Sequence, residues 1–287
     1  MISLILSILL SSLLFVIFKY FEIYKIDVLK AIVVNYYVAF TVGFIFSDTF
    51  MNPNEIFHQD WFYGAFILGG LFVGVFFVMA TTTQKNGISV ASIAGKMSVV
   101  IPVLFGVLMY HEKVTFLRVT GIIIALIAVY LVAYKPNNTI VKRPIMVYPF
   151  LLFIGSGIID TTLKYVEVNF VPSEDISVFS GSLFGIAAFF GSLILFIKTI
   201  QNPASFGFKN AIAGVILGIP NYFSIYFLIK ALQTKGFESS TLFTFNNIGI
   251  VFVSTIIGFL LFQEKFNAYN KVGFILAIIG IFTLAIS

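Results

Sequence analysis

The chain has 287 residues with a mean hydropathy of +1.06; 60% of them are hydrophobic and 10% charged. Soluble domains carry roughly 25% charged residues, and a soluble chain could not hide this much apolar surface, so the composition excludes a water-soluble fold and points to an integral membrane protein. The net charge of +5 is spread singly between apolar runs, which argues against nucleic acid as a partner; with no Cys and only His58 and His111, no disulfide, metal or cofactor is expected.

A membrane-crossing helix needs about 20 largely apolar residues. Ten such stretches follow one another: 2–18, 28–47, 62–80, 88–110 and 114–133, then 146–164, 176–197, 211–230, 239–262 and 269–286. The first lacks the basic leader and small-residue cleavage site of a signal peptide and reads as a retained span. Residues 48–60, with Asn52, Pro53, Asn54 and Glu55, read as a polar loop. The longest polar break, around Pro136, Asn137 and Asn138, divides the chain into 1–140 and 141–287.

The two parts repeat one another. Setting Glu112 on Glu264 also sets Lys113 on Lys265, Gly121 on Gly273, Gly106 on Gly258 and Val99 on Val251. Ser11-Ser12 ahead of Lys19-Tyr20 matches Ser156-Gly157 ahead of Lys164-Tyr165, and Leu68-Gly69 ahead of Gly87 matches Leu217-Gly218 ahead of Gly236. Five spans is an odd number, so the second copy enters the bilayer from the opposite face. The expected fold is therefore all-α, ten transmembrane helices in two inverted five-helix repeats, an arrangement that recurs in secondary transporters.

The duplicated small-residue span, the Glu-Lys turn and the Gly eight residues after that Lys resemble the EamA-type repeat of the drug/metabolite transporter superfamily. The resemblance implies a central cavity lined by the first four helices of each half, with peripheral fifth and tenth helices. It also implies the movement of small organic solutes such as amino acids, nucleosides, nucleotide sugars or drugs. One departure is Pro102, whose counterpart is Ser254, so the halves need not kink alike.

Polar groups inside the spans are the site candidates. Lys96 lies eight residues into the fourth span, about 12 Å from its nearer end at 1.5 Å per residue, too deep to snorkel fully. A charge near the midplane costs at least ~2.5–3.5 kcal/mol and faces a wet cavity or a partner. Lys96 reads as an anion-binding or gating cation, or as a structural lysine on backbone carbonyls freed near Pro102. Asp160 is a candidate for a coupling proton, or an ion-pair partner of Lys164 four residues on. Asn246 and Asn247 either bind solute or bridge helices. Gly218 and Pro220 precede Asn221 and Tyr222, where a discontinuous helix would release backbone groups. Asn35 and Tyr36 complete the set. Glu112 and Glu264 read as carboxylates serving the N-terminus of the helix that follows each, and Gly121 and Gly273 as points of close packing.

The reading is a secondary transporter for a small polar solute, anionic or zwitterionic, working by alternating access in a bacterial cytoplasmic membrane. Its partners are that solute, membrane lipid and a coupling ion. A lipid-linked sugar flippase, a passive channel and an intramembrane hydrolase are the alternatives; no phosphate loop for an ATPase and no hydrolase constellation is present. Alternating the connections between two faces leaves most Lys and Arg, among them Lys85, Lys142 and Arg143, on the face away from the termini. That bias makes the richer face cytoplasmic and puts the termini outside, whereas the family resemblance implies termini inside.

Overall fold

The computed structural model describes residues 2–46, 52–109, 115–134, 147–201, 205–232, 239–265 and 267–285. Among them the structure is helical and contains no strand. In chain order the helices are α1 (Ile2–Ile23), α2 (Val28–Ile45), the short α3 (Pro53–Phe57), α4 (Phe62–Asn86), α5 (Ile88–Lys96), α6 (Val100–Met109), α7 (Phe116–Ala133), α8 (Val147–Phe170), α9 (Ile176–Gln201), α10 (Phe208–Leu232), α11 (Ser239–Phe262) and α12 (Ala268–Ala285). Eight stretches of the described residues are long and apolar enough to cross a membrane, with α5 and α6 counting as one. The expected sixth and tenth spans correspond to α8, which carries Asp160, Lys164 and Glu167, and α12, whose apolar run Ala268–Leu284 is shorter. The Glu112–Lys113 turn, His111 and the break at 135–144 lie outside the described residues.

Local chemistry sets the helix ends. The Asp27 carboxylate accepts from the Leu29 and Lys30 amides and starts α2, and the Thr115 hydroxyl accepts from the Arg118 amide and starts α7. α4 stops at Gly87, whose φ of +105° is open to glycine and strained for other residues. Between α5 and α6 the backbone tightens into a 3-10 turn, Met97–Val99. Pro102 explains it: the ring offers no N–H to the Ser98 carbonyl and crowds it. The corresponding stretch of α11 is unbroken, because Ser254 keeps its amide and turns its hydroxyl onto the Ile250 carbonyl at 2.5 Å.

The expected discontinuity near Pro220 is not there; α10 runs through it from Phe208 to Leu232. Gly214 and Gly218 press this helix onto α2, so that a Cβ on Gly214 would meet Val34 and the Ala31 carbonyl, and one on Gly218 would meet Val38 and the Asn35 carbonyl. Packing of that closeness holds the helix axis across the proline.

The two halves of the chain interleave. The most extensive helix contacts, α7 with α12, α2 with α10 and with α9, and α1 with α10, all join residues before 135 to residues after 146. The contacts α1–α10 and α4–α8, α2–α10 and α4–α9, and α1–α11 and α5–α8 all cross between these two parts of the chain, as do α2–α9, α5–α11 and α7–α12. One core cluster draws Phe18, Tyr36, Leu68 and Phe72 from the first half and Leu163, Phe179, Phe184 and Tyr222 from the second. Along the α7–α12 seam Gly121 sits against Leu284 and Gly273 against Val132, as close packing predicts. Asn270 ties the seam by donating to the Leu131, Val132 and Tyr134 carbonyls at the end of α7.

Candidate functional site

Lys96 is the last residue of α5, at the point where the helix gives way to the 3-10 turn. Its side chain is half-buried and makes neither a hydrogen bond nor a direct ion pair with any of the described residues. A mid-helix 3-10 segment is a common companion of functional hinges, and here it directly follows Lys96.

α8 supplies the opposing face. Gly95 lies beside Ser156 and Leu152, and Gly157 beside Ile101, so the broken helix follows α8 through the turn. Asp160 is buried there, and the Lys96 ammonium is the positive charge acting on its carboxylate. The Ser98 hydroxyl lies 3.2 Å from Asp160 Oδ2 and 2.5 Å from the Gly95 carbonyl. One hydroxyl proton serves one acceptor at a time, so Ser98 can switch between the broken backbone and the carboxylate. Lys164 makes no direct ion pair with Asp160; the charge facing the acid comes from another helix.

Asn246 and Asn247 approach from α11. Gly258 of that helix lies beside Ser89, Ile250 clusters with Ile88, Ala91 and Ala94, and Val251 clusters with Met97, Val99 and Val100. Numbers thus fall along α11 as they rise along α5, which brings Asn246 and Asn247 level with the turn after Lys96. Both are buried, and Asn246 Oδ1 and both side-chain amide atoms of Asn247 have no hydrogen-bond partner among the described residues. A buried amide left so costs about 1–3 kcal/mol.

The remaining candidates gather between α2 and α10. The Asn221 amide donates to Asn35 Oδ1 at 3.1 Å, fully inside the protein, and the Tyr36 hydroxyl donates to the Phe72 carbonyl at 2.8 Å. Tyr222 packs among Phe184, Phe223 and Tyr226, and its buried hydroxyl has no hydrogen-bond partner among the described residues. Asn35, Tyr36 and Asn221 are satisfied by helix contacts to a degree that Lys96, Asn246, Asn247 and the Tyr222 hydroxyl are not.

Sequence reasoning missed Ser98, which the serine–acid meeting across two helices reveals, and misassigned Glu264. Its carboxylate does not serve α12, whose start is closed by the reciprocal bonds of Asn267 and Asn270. It reaches instead to the N-terminus of α5, accepting from the Ile88 amide at 2.5 Å, the Ser89 amide at 3.2 Å and the Ser89 hydroxyl at 2.6 Å. Separately, a groove of about 590 Å³ between α11 and α12, lined by Phe252, Phe259, Phe274 and Ile275 with Lys271, shares no residue with the set around Lys96.

The profile of the EamA-like transporter family matches residues 1–134. An uncharacterized protein of Haemophilus influenzae is 30% identical over 222 residues, which is 76% of this chain and 73% of that protein. A crystal structure of a protein 16% identical in sequence is similar in fold, with a TM-score of 0.61 over 99% of this chain and 96% of that one.

Proposed function

The chain belongs to the EamA-like transporter family, and we propose that it is a secondary transporter of a small polar organic solute, anionic or zwitterionic, working by alternating access. The observation that carries this reading is the Lys96 ammonium, half-buried and unengaged at a helix break, with Asp160 facing it from α8. Opposite charges held apart suit a solute that carries both signs, or an anion alone with a proton on the acid. Asn246 and Asn247 offer donors and acceptors at the same level, and Ser98 completes the polar set. Asn35, Tyr36, Asn221 and Tyr222 hold the helices around it.

Two inverted five-helix repeats, 1–140 and 141–287, with α8 and α12 crossing as the sixth and tenth spans, form the scaffold in this reading. The crossing helix contacts support it, since exchanging the halves maps α1–α10 onto α4–α8, α2–α10 onto α4–α9 and α1–α11 onto α5–α8. The duplicated sequence register supports it independently. The bacterial relative supports a cytoplasmic membrane as the location.

A thermal-shift screen of the purified protein against a metabolite library, followed by counterflow of each hit in proteoliposomes, tests the reading. Saturable counterflow by a charged metabolite is the expected result. Flux that neither saturates nor exchanges would make the protein a channel.

A further inference from the structure

The contact between Glu264 and the start of α5 joins the two halves of the chain at one end of the bundle, where the α4–α5 turn meets the α11–α12 connection. Three features build it. Gln263, with a φ of +50°, turns the chain back after α11, and the Glu264 amide then donates to the Gly258 carbonyl at 3.1 Å. The carboxylate receives two backbone N–H groups that the first turn of a helix leaves unpaired, plus the Ser89 hydroxyl. Finally, glycine stands at the two positions that hem it in. A Cβ on Gly87 would come to 2.7 Å from Glu264 Oε1, and one on Gly258 to 2.7 Å from Oε2.

α5 is the helix that ends at Lys96, only eight residues beyond Ile88. Charge-assisted bonds of this kind are about twice as strong as neutral ones, yet Glu264 is only partly buried, so water can compete for it when the helix shifts. The geometry points to a releasable clamp. Glu264 seats the N-terminus of α5, closes this end of the bundle and positions Lys96; opening the same end breaks the three bonds together. The inference rests on the transporter reading, in which α5 moves during the cycle, and it makes Glu264 a positioning residue that acts through α5.

The absence of native cysteine allows a test that needs no substrate. Ser92→Cys places a thiol in the buried part of α5 one turn from the clamp. Its labelling by a water-soluble maleimide is followed in proteoliposomes of the full chain, with the melting temperature recorded for each variant. Glu264→Gln should raise the labelling rate on the order of tenfold, as expected for weakening a hydrogen bond to a charged group. Ser89→Ala, which spares the backbone donors and is the milder change should Glu264→Gln fold poorly, should raise it by less. Asn270→Ala loosens the α7–α12 seam and should lower the melting temperature without altering the labelling. Equal labelling in Glu264→Gln or, where that variant does not fold, in Ser89→Ala would overturn the clamp, as would an equal rise in Asn270→Ala. A clamp that releases in a protein showing no counterflow would instead count against the transporter reading alone.

Discussion

Ser98 and Asp160 meet across two helices, hydroxyl to carboxylate at 3.2 Å, in the turn that directly follows Lys96. The pairing makes the break in the fourth span a chemical feature as well as a geometric one. Pro102 frees the backbone, Lys96 brings the cation, and the Ser98 hydroxyl lies within reach of both the Gly95 carbonyl and the acid.

Lys96→Met keeps the length of the side chain and removes its charge. Folding should survive, judged by yield and melting temperature, while solute affinity falls roughly ten- to hundredfold, the usual consequence of losing a hydrogen-bonded charged contact. Lys96→Arg keeps the charge with a different donor geometry and should retain partial activity. Uptake normalised to folded protein is the measurement, and wild-type affinity in Lys96→Met would remove Lys96 from the site.

Asp160→Asn preserves an oxygen for the Ser98 hydroxyl but cannot take up and release a proton. Exchange of solute across the membrane should continue, whereas accumulation driven by an imposed pH gradient should disappear. Comparing the two modes in the same proteoliposomes checks this. Undiminished gradient-driven uptake would show that coupling lies elsewhere.

Asn35 and Asn221 should behave as interhelical glue. Asn221→Leu alone leaves the Asn35 oxygen buried and unpaired and should destabilise by about 1–3 kcal/mol. The Asn35→Leu/Asn221→Leu double variant should lose less than the sum of the single changes, with a coupling of about 0.6 kcal/mol as found for other membrane interiors. Unfolding in mixed micelles measures the cycle, and strict additivity would mean that the two amides do not act on each other.

Residues 1–140 expressed alone should insert but show no cooperative melting and no solute-dependent stabilisation, because the most extensive packing of α1, α2, α4 and α7 is against the second half. Co-expression with 141–287 should restore both. Solute binding by one half alone would place the site within a repeat.

Much of the helix order was legible in the sequence because apolar runs of span length report burial in lipid directly. Pro102 signalled that the halves need not kink alike, and the turn at Met97–Val99 lies where the proline acts on its own backbone four residues back. Pro220 misled for the opposite reason: whether a proline interrupts a helix depends on its neighbours, and the closeness of α2 at Gly214 and Gly218 is invisible along the chain. Glu264 is the sharper case. A carboxylate beside a helix start suggests the nearest N-terminus, but the left-handed Gln263 turns the chain toward a helix some 175 residues away in sequence. The division of Asn35 and Asn221 from Asn246 and Asn247 could not be read in advance either, because hydrogen-bond partners on other helices decide it.

The interleaving of the halves also bears on how the protein is made. Ribosomes add about 5–20 residues per second, so the first half waits roughly 7–30 s in the bilayer before its packing partners are complete. During that interval the face of α2 that receives Gly214 and Gly218, the Gly121 seam of α7 and the unclamped start of α5 stand open to lipid and to other nascent chains. A membrane protease or an insertase that shelters small-residue helix faces would meet this protein then, and a substitution that slows synthesis of the second half would lower its abundance without touching any contact in the finished fold.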